Sequence, residues 1–429
     1  MKLSSLEDKL DFRVAALTIE IIYRRKLGFD KSFLEACKKA GVRGRPSAYD
    51  IAYRSLLSSY LAEKVLVDNK LGTLPLRRKS AFIVAFRLIV VEKIRCSPFI
   101  FGGLIPGRLQ KILHSLRKAY VEEIAESDNP IEKLSLIYSH PKWLVEKLVK
   151  NLGLRETERI LKSNETEVMW LRVNTLKTSL ENARRRLEKE GVRVAEDREY
   201  PILLRVIESK KSIDDLRTVK RGYVIPQDKA SVAAVYALNP RPGETVLDAC
   251  AAPGVKTSLI AQLMENRGRI VALDISDSRL DSMKSLLKRL GAQDIEIIRA
   301  DSTKIAFRRK LDKALVDAPC TNSGAIRKDP ALRITLRKVN LNNFTSLQKY
   351  LLSNALRYSN EVVYATCSLA PEEGEEVVEN MQNSLVELKY IGGTTGYRKY
   401  SSSKLVRRFF PHMHQTIGFF IAKLRANTR

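Results

Sequence analysis

The feature that most constrains the fold is a regular alternation of short apolar runs with helical stretches in the C-terminal half of the chain. From about residue 223 onward the strand-like runs are TVLDACA, RIVALDIS, IEIIRAD, KALVDAPC, EVVYATCS and TIGFFIAKL. Helices between such runs are typical of βαβ units, which place their strands side by side in one sheet. The pattern predicts a parallel, doubly wound, Rossmann-like α/β domain over residues 223–429.

The first 127 residues lack this alternation and are predicted to form an all-α bundle. Four apolar residues share one helical stripe: Leu10, Val14, Leu17 and Ile21. Ser47 precedes another helical pattern and is predicted as its N-cap. Residues 81–94 are the most apolar run, and they are too few to span a bilayer and include Arg87. We therefore expect a buried core helix there.

Residues 128–222 are predicted to form a small α+β module. An amphipathic helix that ends at Gly153 comes first, and a strand-like run at residues 168–177 follows. A basic helical run, SLENARRRLEKEGV, comes next. Strand and helix alternate over this stretch, so we expect a separate module between the bundle and the C-terminal domain.

Charge narrows the class of partner. The chain has 76 Lys and Arg against 49 Asp and Glu, a net charge of +27 with a pI of about 9.9. Basic clusters such as Arg77-Arg78-Lys79 and Arg184-Arg185-Arg186 are spread along the whole chain. Phosphates favour Lys and Arg through counterion release, so nucleic acid is the expected partner.

The cysteines, the histidines and the first residues argue against several other classes. The five cysteines are widely spaced with no Cys-x-x-Cys, which does not suit a disulfide framework. The four histidines lack the spacing of metal ligands, so we expect no metal. The first eleven residues are polar and charged, unlike a signal peptide. We expect a cytoplasmic monomer that does not associate with membranes.

Acidic residues end three consecutive strands of the predicted sheet. Asp274, Asp301 and Asp317 close the second, third and fourth strand-like runs. Ligands of open α/β sheets bind beyond the carboxyl ends of the strands, so these carboxylates are predicted to line one cleft. Asp274 follows Gly254 by about 20 residues, the distance at which an acid commonly binds ribose hydroxyls. No G-x-G-x-x-G is present, which favours a cationic, phosphate-free nucleoside such as S-adenosylmethionine over a dinucleotide.

Two cysteines follow neighbouring strands beside this cleft. Cys320 lies in PCTN and Cys367 in TCS, both polar and turn-forming, and a basic site is expected to lower the pKa of a thiol there. Chemistry that needs S-adenosylmethionine and a thiolate is methylation of a pyrimidine at carbon 5. The thiolate adds to carbon 6, which makes carbon 5 nucleophilic, and Asp317 would hold the base. The spacing alone allows either cysteine to attack.

Several motifs together resemble the RsmB/Nop2/Sun family of RNA 5-methylcytosine methyltransferases. Besides Asp274 and Asp301, they are IPQDKAS (225–231), DACAAPGVKT (248–257), DAPCTNSG (317–324), YATCSLAPEE (364–373) and PHMHQTIGFFIAKL (411–424). They cover about half of the chain. LRVNTLK (171–177) is similar to the RNA-binding module upstream in this family, and the helical bundle is similar to the NusB-like domain of some members.

The resemblance implies a role for each matched residue. Cys367 would be the nucleophile, Cys320 would help to release the product, and Lys256 and Asp317 would border the target base. The residues implied in S-adenosylmethionine binding are Cys250, Ala251, Ala252, Pro253, Gly254, Val255, Lys256, Asp274, Asp301 and Asp317. Val255 stands where the family usually has glycine, and Met413 and Gln415 stand where a basic residue and glycine are common.

The resemblance leaves the substrate class open. A NusB-like bundle favours rRNA, and tRNA is the alternative. A DNA cytosine methyltransferase would attack with the Pro-Cys cysteine, Cys320, which leaves Cys367 without a role. A non-catalytic RNA-binding assembly factor is the non-enzymatic alternative, although both thiols and all three acids are present.

Overall fold

The computed structural model describes residues 2–426, and the chain divides into two compact units. One unit contains the residues up to 166 together with residues 325–338. The other contains residues 167–324 and those from 339 onward. The predicted boundaries after residues 127 and 222 stay predictions.

The first unit is helical, as expected from its sequence. Its helices are α1 (Leu6–Arg25), α2 (Phe29–Ala40), α3 (Pro46–Leu56), α4 (Ser59–Asp68), α5 (Leu76–Phe86), α6 (Gly107–Ser115), α7 (Val121–Ile124), α8 (Pro130–Ile137), α9 (Lys142–Leu152), α10 (Leu154–Ser163) and, from the returning segment, α16 (Leu332–Thr335). A short parallel pair, β1 (Lys2–Leu3) and β2 (Arg95–Cys96), lies beside them. The apolar run at 81–94 forms the end of α5 and a π-helical turn, Arg87–Val91, and most of it is buried.

Helix α1 is buried on more than the one predicted stripe. That stripe packs with Phe33 and Cys37 of α2, while Phe12 and Ile19 on another face join the main core of the unit. The predicted N-cap at Ser47 is wrong, because α3 begins at Pro46. Proline suits the first helical position, since its fixed φ matches the helix and its missing N–H needs no partner there.

The second unit begins with a four-stranded antiparallel sheet in the order β4-β5-β3-β6. Its elements are β3 (Trp170–Val173), α11 (Leu180–Lys189), β4 (Val192–Glu196), β5 (Leu203–Ser209), α12 (Arg217–Lys220) and β6 (Val224–Pro226). This sheet with its two helices is the predicted α+β module. The helices of residues 128–163 group with the first unit.

The larger sheet of this unit has the order β12-β14-β11-β10-β7-β8-β9, with β13 beside β14. Its elements are α13 (Lys229–Leu238), β7 (Thr245–Asp248), α14 (Val255–Leu263), β8 (Arg269–Asp274), α15 (Asp277–Leu290), β9 (Ile295–Arg299), β10 (Leu311–Asp317), α17 (Asn340–Tyr358), β11 (Ser359–Thr366), α18 (Glu375–Val378), β12 (Leu385–Val386), β13 (Arg407–Phe409), α19 (Pro411–His414) and β14 (Phe419–Arg425).

Five of these strands are parallel, as predicted, but TIGFFIAKL is not. β14 runs antiparallel to β11, β12 and β13. β13 ends at Phe409 and β14 begins at Phe419, a connection shorter than the dozen or so residues that a parallel crossover needs. Helices cover both faces, because Leu315 packs with α13 and α14 while the next residue, Val316, packs with α17.

Candidate active site

The carboxyl ends of the parallel strands surround a cavity of about 560 Å³. β7, β8 and β10 are adjacent and end at Asp248, Asp274 and Asp317. Of the residues predicted for the site, those that line the cavity are Cys250, Ala252, Asp274, Asp301, Asp317, Cys320 and Cys367. Asp274, Asp301, Asp317 and both thiols therefore share one cleft, as the sequence predicts.

The other residues predicted for the cofactor lie in the turn beside this cavity. Ala251, Pro253 and Gly254 connect β7 to α14, and Val255 is the first residue of α14. None of these four residues lines the cavity. Two features require glycine at position 254. Its φ of +97° is a conformation that other residues rarely adopt, and an added Cβ would lie 2.7 Å from the Met283 side chain.

Asp274 is buried and already accepts several hydrogen bonds. The backbone N–H of Ser276 donates to it at 3.0 Å and that of Ala252 at 3.3 Å, and Arg279 forms an ion pair with it at 3.2 Å. Arg279 also donates to the Ala252 carbonyl. Because these contacts fix the carboxylate at the end of β8, the group is oriented before any ligand arrives.

Asp301 offers a more exposed carboxylate to the same cavity. The hydroxyl of Thr303 donates to it at 2.6 Å and the Thr303 backbone N–H at 3.0 Å. These hydrogen bonds, the hydroxyl first, lower the pKa of Asp301. The carboxylate is therefore ionised at neutral pH and can bind hydroxyl or ammonium groups of a ligand.

Lys256 and Asp317 form an ion pair at the cavity edge, with 2.6 Å between Nζ and Oδ2. Lys256 is the second residue of α14 and Asp317 the last residue of β10. Burial works against the ammonium, but attraction to Asp317 and then to Cys367 raises the pKa of Lys256 overall. The Lys256 side chain therefore stays protonated at neutral pH, and its positive charge interacts with Cys367.

The two cysteine sulfurs lie 3.4 Å apart. β10 and β11 are parallel neighbours with Asp317 opposite Ala365, so the loops that follow them meet. Asn322 stands between the thiols, and its Oδ1 lies 2.9 Å from the Cys367 sulfur and 3.6 Å from that of Cys320. Asn322 has φ +61°, a left-handed conformation that asparagine tolerates better than most residues.

The surroundings of the two thiols differ. Cys367 is partly exposed and Cys320 is buried. A hydrogen bond with Cys367, followed by burial, raises the pKa of the Cys320 thiol well above its usual value. The expected lowering of thiol pKa is thus wrong for Cys320. The polar residues of PCTN concealed its burial, because Thr321 bonds to the buried Glu373 and Asn322 accepts from the two cysteines.

Sequence reasoning missed several residues that build this site. Asn322 and Arg279 contact predicted site residues directly. Arg172 of LRVNTLK is fully buried, and it donates to the Val255 carbonyl at 3.2 Å and to Ser258 at 2.8 Å. Burial lowers the pKa of Arg172 to about 9. The motif predicts a strand, but an arginine inside a strand does not indicate which neighbouring element its side chain contacts.

The unusual Gln415 fits its position by geometry. It follows α19 with φ +53°, which explains why glycine is common there. Its carbonyl accepts a hydrogen bond from Trp170 at 2.7 Å, and its side chain accepts one from Arg205 at 2.6 Å. These two contacts offset the cost of the left-handed backbone. Met413 is exposed.

Over residues 2–426, no cluster of three or more His, Cys, Asp or Glu residues is arranged to hold a metal ion. Over the same range, every helix is too short or too polar to cross a membrane.

Two family models match the chain. Residues 235–425 match the model described as 16S rRNA methyltransferase RsmB/F. Residues 140–214 match the model of the ferredoxin-like domain of RsmF/B-like methyltransferases. The second match includes β3, β4, β5 and α11 of the smaller sheet.

Curated relatives carry names of RNA methyltransferases. A 28S rRNA (cytosine-C(5))-methyltransferase of Mus musculus is 34% identical over 68% of this chain and 39% of its own length. A tRNA (cytosine(72)-C(5))-methyltransferase of Pyrococcus horikoshii is 37% identical over 50% of this chain and 55% of its own. A "Probable ribosomal RNA small subunit methyltransferase B" of Synechocystis is 30% identical over 74% of each. The chain thus spans about half or less of the length of the mouse and Pyrococcus relatives.

The fold is also similar to solved structures. The crystal structure of PH0851 matches with a TM-score of 0.81 and 30% identity, over 99% of this chain and all of that one. The similarity therefore extends to both units and to the larger sheet that carries the cavity.

Proposed function

Since the chain belongs to the RsmB/F family of rRNA methyltransferases, we propose that it transfers a methyl group from S-adenosylmethionine to carbon 5 of a cytosine in RNA. The observation that carries this proposal is the pair of thiols 3.4 Å apart beside a cavity lined by three carboxylates. One thiol is needed to activate carbon 5 and a second group to complete the reaction. Few other reactions need both a thiol nucleophile and a second group beside it.

The residues of the cavity fit the proposed cofactor. Asp274 and Asp301 present carboxylates to a space of about 560 Å³, within the usual range for sites of small ligands. Small residues, Ala249 and Ala252, line the cavity between them. Asp274 would bind the ribose hydroxyls and Asp301 would bind nearby polar groups. When bound, S-adenosylmethionine supplies an electrophilic methyl group.

Cys367 suits the role of nucleophile. Its sulfur is partly exposed, and the ammonium of Lys256 interacts with it. Reactive cysteines are found in such electropositive, partly exposed surroundings. The thiolate adds to carbon 6 of the cytosine, and the electron pair of the 5,6 double bond moves to carbon 5. Asp317, held by Lys256 at 2.6 Å, would hold N3 and the exocyclic amine of the base.

Cys320 suits a later step. Its buried thiol is held in the protonated form, so it does not compete for carbon 6. After methylation a base must take the proton from carbon 5. The electron pair of that carbon–hydrogen bond forms the 5,6 double bond again, and the pair of the carbon–sulfur bond leaves with the Cys367 sulfur. Cys320 stands 3.4 Å from the departing sulfur, close enough to take part in that release.

The proposed substrate is rRNA. The matching family model is that of a 16S rRNA methyltransferase, and relatives from mouse and Synechocystis are named for ribosomal RNA. A tRNA is the second candidate, because the Pyrococcus relative is named for tRNA. In either case the cytosine must leave its stack or come from a single strand to reach the cavity.

Separate replacement of the two cysteines tests the proposal. Cys367→Ala should form no covalent RNA adduct, because no sulfur attacks carbon 6. Cys320→Ala should accumulate an adduct stable in denaturing gels, because release is blocked. The measurement is gel electrophoresis of protein incubated with radiolabelled RNA and S-adenosylmethionine. An adduct in Cys367→Ala and none in Cys320→Ala would reverse the roles, as in the DNA methyltransferase alternative.

Calorimetry with S-adenosylmethionine distinguishes the proposed enzyme from the non-catalytic alternative, because an RNA-binding assembly factor with a decayed site would show no binding.

Bisulfite sequencing of cellular rRNA and tRNA, with and without the gene, identifies the substrate. Loss of one methylated rRNA cytosine is the expected result, and loss of a tRNA cytosine alone would select the second candidate.

A further inference from the structure

Glu373 is a buried carboxylate that only neutral groups hold. Its side chain is fully buried, and it accepts hydrogen bonds from Thr321, through the backbone N–H at 2.8 Å and the hydroxyl at 2.5 Å. Gln348 donates to it at 3.2 Å. Among the ion pairs of the described residues, none includes Glu373. Burying a carboxylate without a cation is costly, so this arrangement calls for a reason.

The backbone of the same residue contacts the other cysteine loop. The Glu373 carbonyl accepts hydrogen bonds from the Tyr364 hydroxyl at 2.9 Å and from the Thr366 hydroxyl at 3.1 Å. Thr366 directly precedes Cys367, and Thr321 directly follows Cys320. Glu373 therefore holds a neighbour of each cysteine and fixes the distance between the two loops.

The charge of Glu373 also acts on Cys320. The titratable groups that raise the pKa of Cys320 are Cys367 first and then Glu373, with burial between them in size. Tyr364 also lies near Cys320, and burial keeps this phenol protonated, because its pKa is raised well above the usual value. The cation of the site, Lys256, interacts with Cys367 instead. The negative charge of Glu373 therefore acts on Cys320, whereas the positive charge of Lys256 interacts with Cys367.

We propose that Glu373 is a positioning residue that decides which thiol attacks. Its hydrogen bonds fix the two cysteine loops against each other, and its carboxylate is bound to the residue after Cys320 while the ammonium of Lys256 interacts with Cys367. The consequence for catalysis rests on the function proposed above. The ordering of the two thiols can be measured without RNA or cofactor.

Glu373→Gln removes the charge and keeps the shape, so the pKa of Cys320 should fall. The measurement is the rate of iodoacetamide alkylation against pH, resolved by mass spectrometry for the peptides that contain Cys320 and Cys367. In the unaltered protein Cys367 should react first. In Glu373→Gln, Cys320 should react about tenfold faster at pH 8. Glu376→Gln, an exposed neighbour, is the matched control and should change neither rate.

A second variant shows whether the charge or mere loosening is responsible. Thr321→Val removes a hydroxyl donor from the carboxylate and leaves its charge less compensated, so the pKa of Cys320 should rise. Opposite shifts in the two variants support the proposal, and it is overturned by shifts in the same direction or by an unchanged Cys320 in Glu373→Gln. If Glu373→Gln does not fold, Thr321→Val decides alone, and a fall in the Cys320 pKa refutes the proposal. Absence of a covalent RNA adduct in every variant and in the unaltered protein would refute the proposed function and leave this result intact.

Discussion

At the residue scale, Asn322 links the two cysteines through one side-chain oxygen. Both thiols point to its Oδ1, at 2.9 Å from Cys367 and 3.6 Å from Cys320. The amide can present either its oxygen or its NH2 group to a sulfur. With the NH2 group turned toward Cys367 it would donate to a thiolate, so an uncharged amide at this position can pair with either a thiol or a thiolate.

Asn322→Asp should slow adduct formation. The added carboxylate lies between the sulfurs, and a like charge at this distance disfavours a thiolate. At a given pH a smaller fraction of Cys367 is ionised, so the rate should fall about tenfold at pH 7.5 and the pH profile should move to higher pH. The measurement is the rate of adduct formation between pH 6 and 10.

Asn380→Asp adds the same charge at an exposed position and should leave the profile unchanged. A profile of Asn322→Asp that coincides with that of the unaltered protein would show that Asn322 does not influence the nucleophile.

The sequence predicted those site residues that stand at strand ends. Asp274 and Asp317 close apolar runs, and parallel strands bring their carboxyl ends to one edge. Contacts such as that of Asn322 with Cys367 join residues 45 apart in the chain. Local patterns carry no information on such distant pairs, and the burial of Cys320 was missed for the same reason.

At the element scale, two glycines bring the cysteine loops and β14 into close contact. Gly324 donates to the Cys367 carbonyl at 3.0 Å, and its own carbonyl accepts from Gly418 at 2.9 Å. The alternation of strands and helices predicted five parallel strands correctly. It could not predict that TIGFFIAKL inserts antiparallel beside β11, because strand direction depends on the length of the preceding connection rather than on the strand's own residues.

Gly324→Ala should disrupt this contact. A Cβ at Gly324 would lie 2.1 Å from the Gly418 carbonyl oxygen, a backbone atom with no freedom to turn away. The loop must therefore shift, which should lower the free energy of unfolding by about 2 kcal/mol and displace Cys367, so that adduct formation is lost. Thermal unfolding and the adduct assay measure the two effects. Gly44→Ala, where a Cβ would meet nothing within 4 Å, is the control and should preserve both properties.

At the scale of the whole molecule, charge and composition predicted a class of partner but not the way the chain divides. A net charge of +27 is independent of the order of the elements. The return of residues 325–338 to the helical unit depends on contacts such as those of Arg333, a fully buried residue that donates to the Asn164 carbonyl at 2.8 Å. A buried arginine in the second half of the chain has no local signature that names its partner.

The net charge predicts that RNA binding depends strongly on salt. Each phosphate neutralised by Lys or Arg releases counterions, and for single strands the slope of log affinity against log salt is about −0.7 per phosphate contact. With about six contacts, raising NaCl from 50 to 200 mM should weaken binding by about 300-fold. Fluorescence anisotropy with a labelled single-stranded RNA measures this. A fall of less than threefold would mean that the excess of Lys and Arg does not contact phosphates, and that stacking and base contacts dominate.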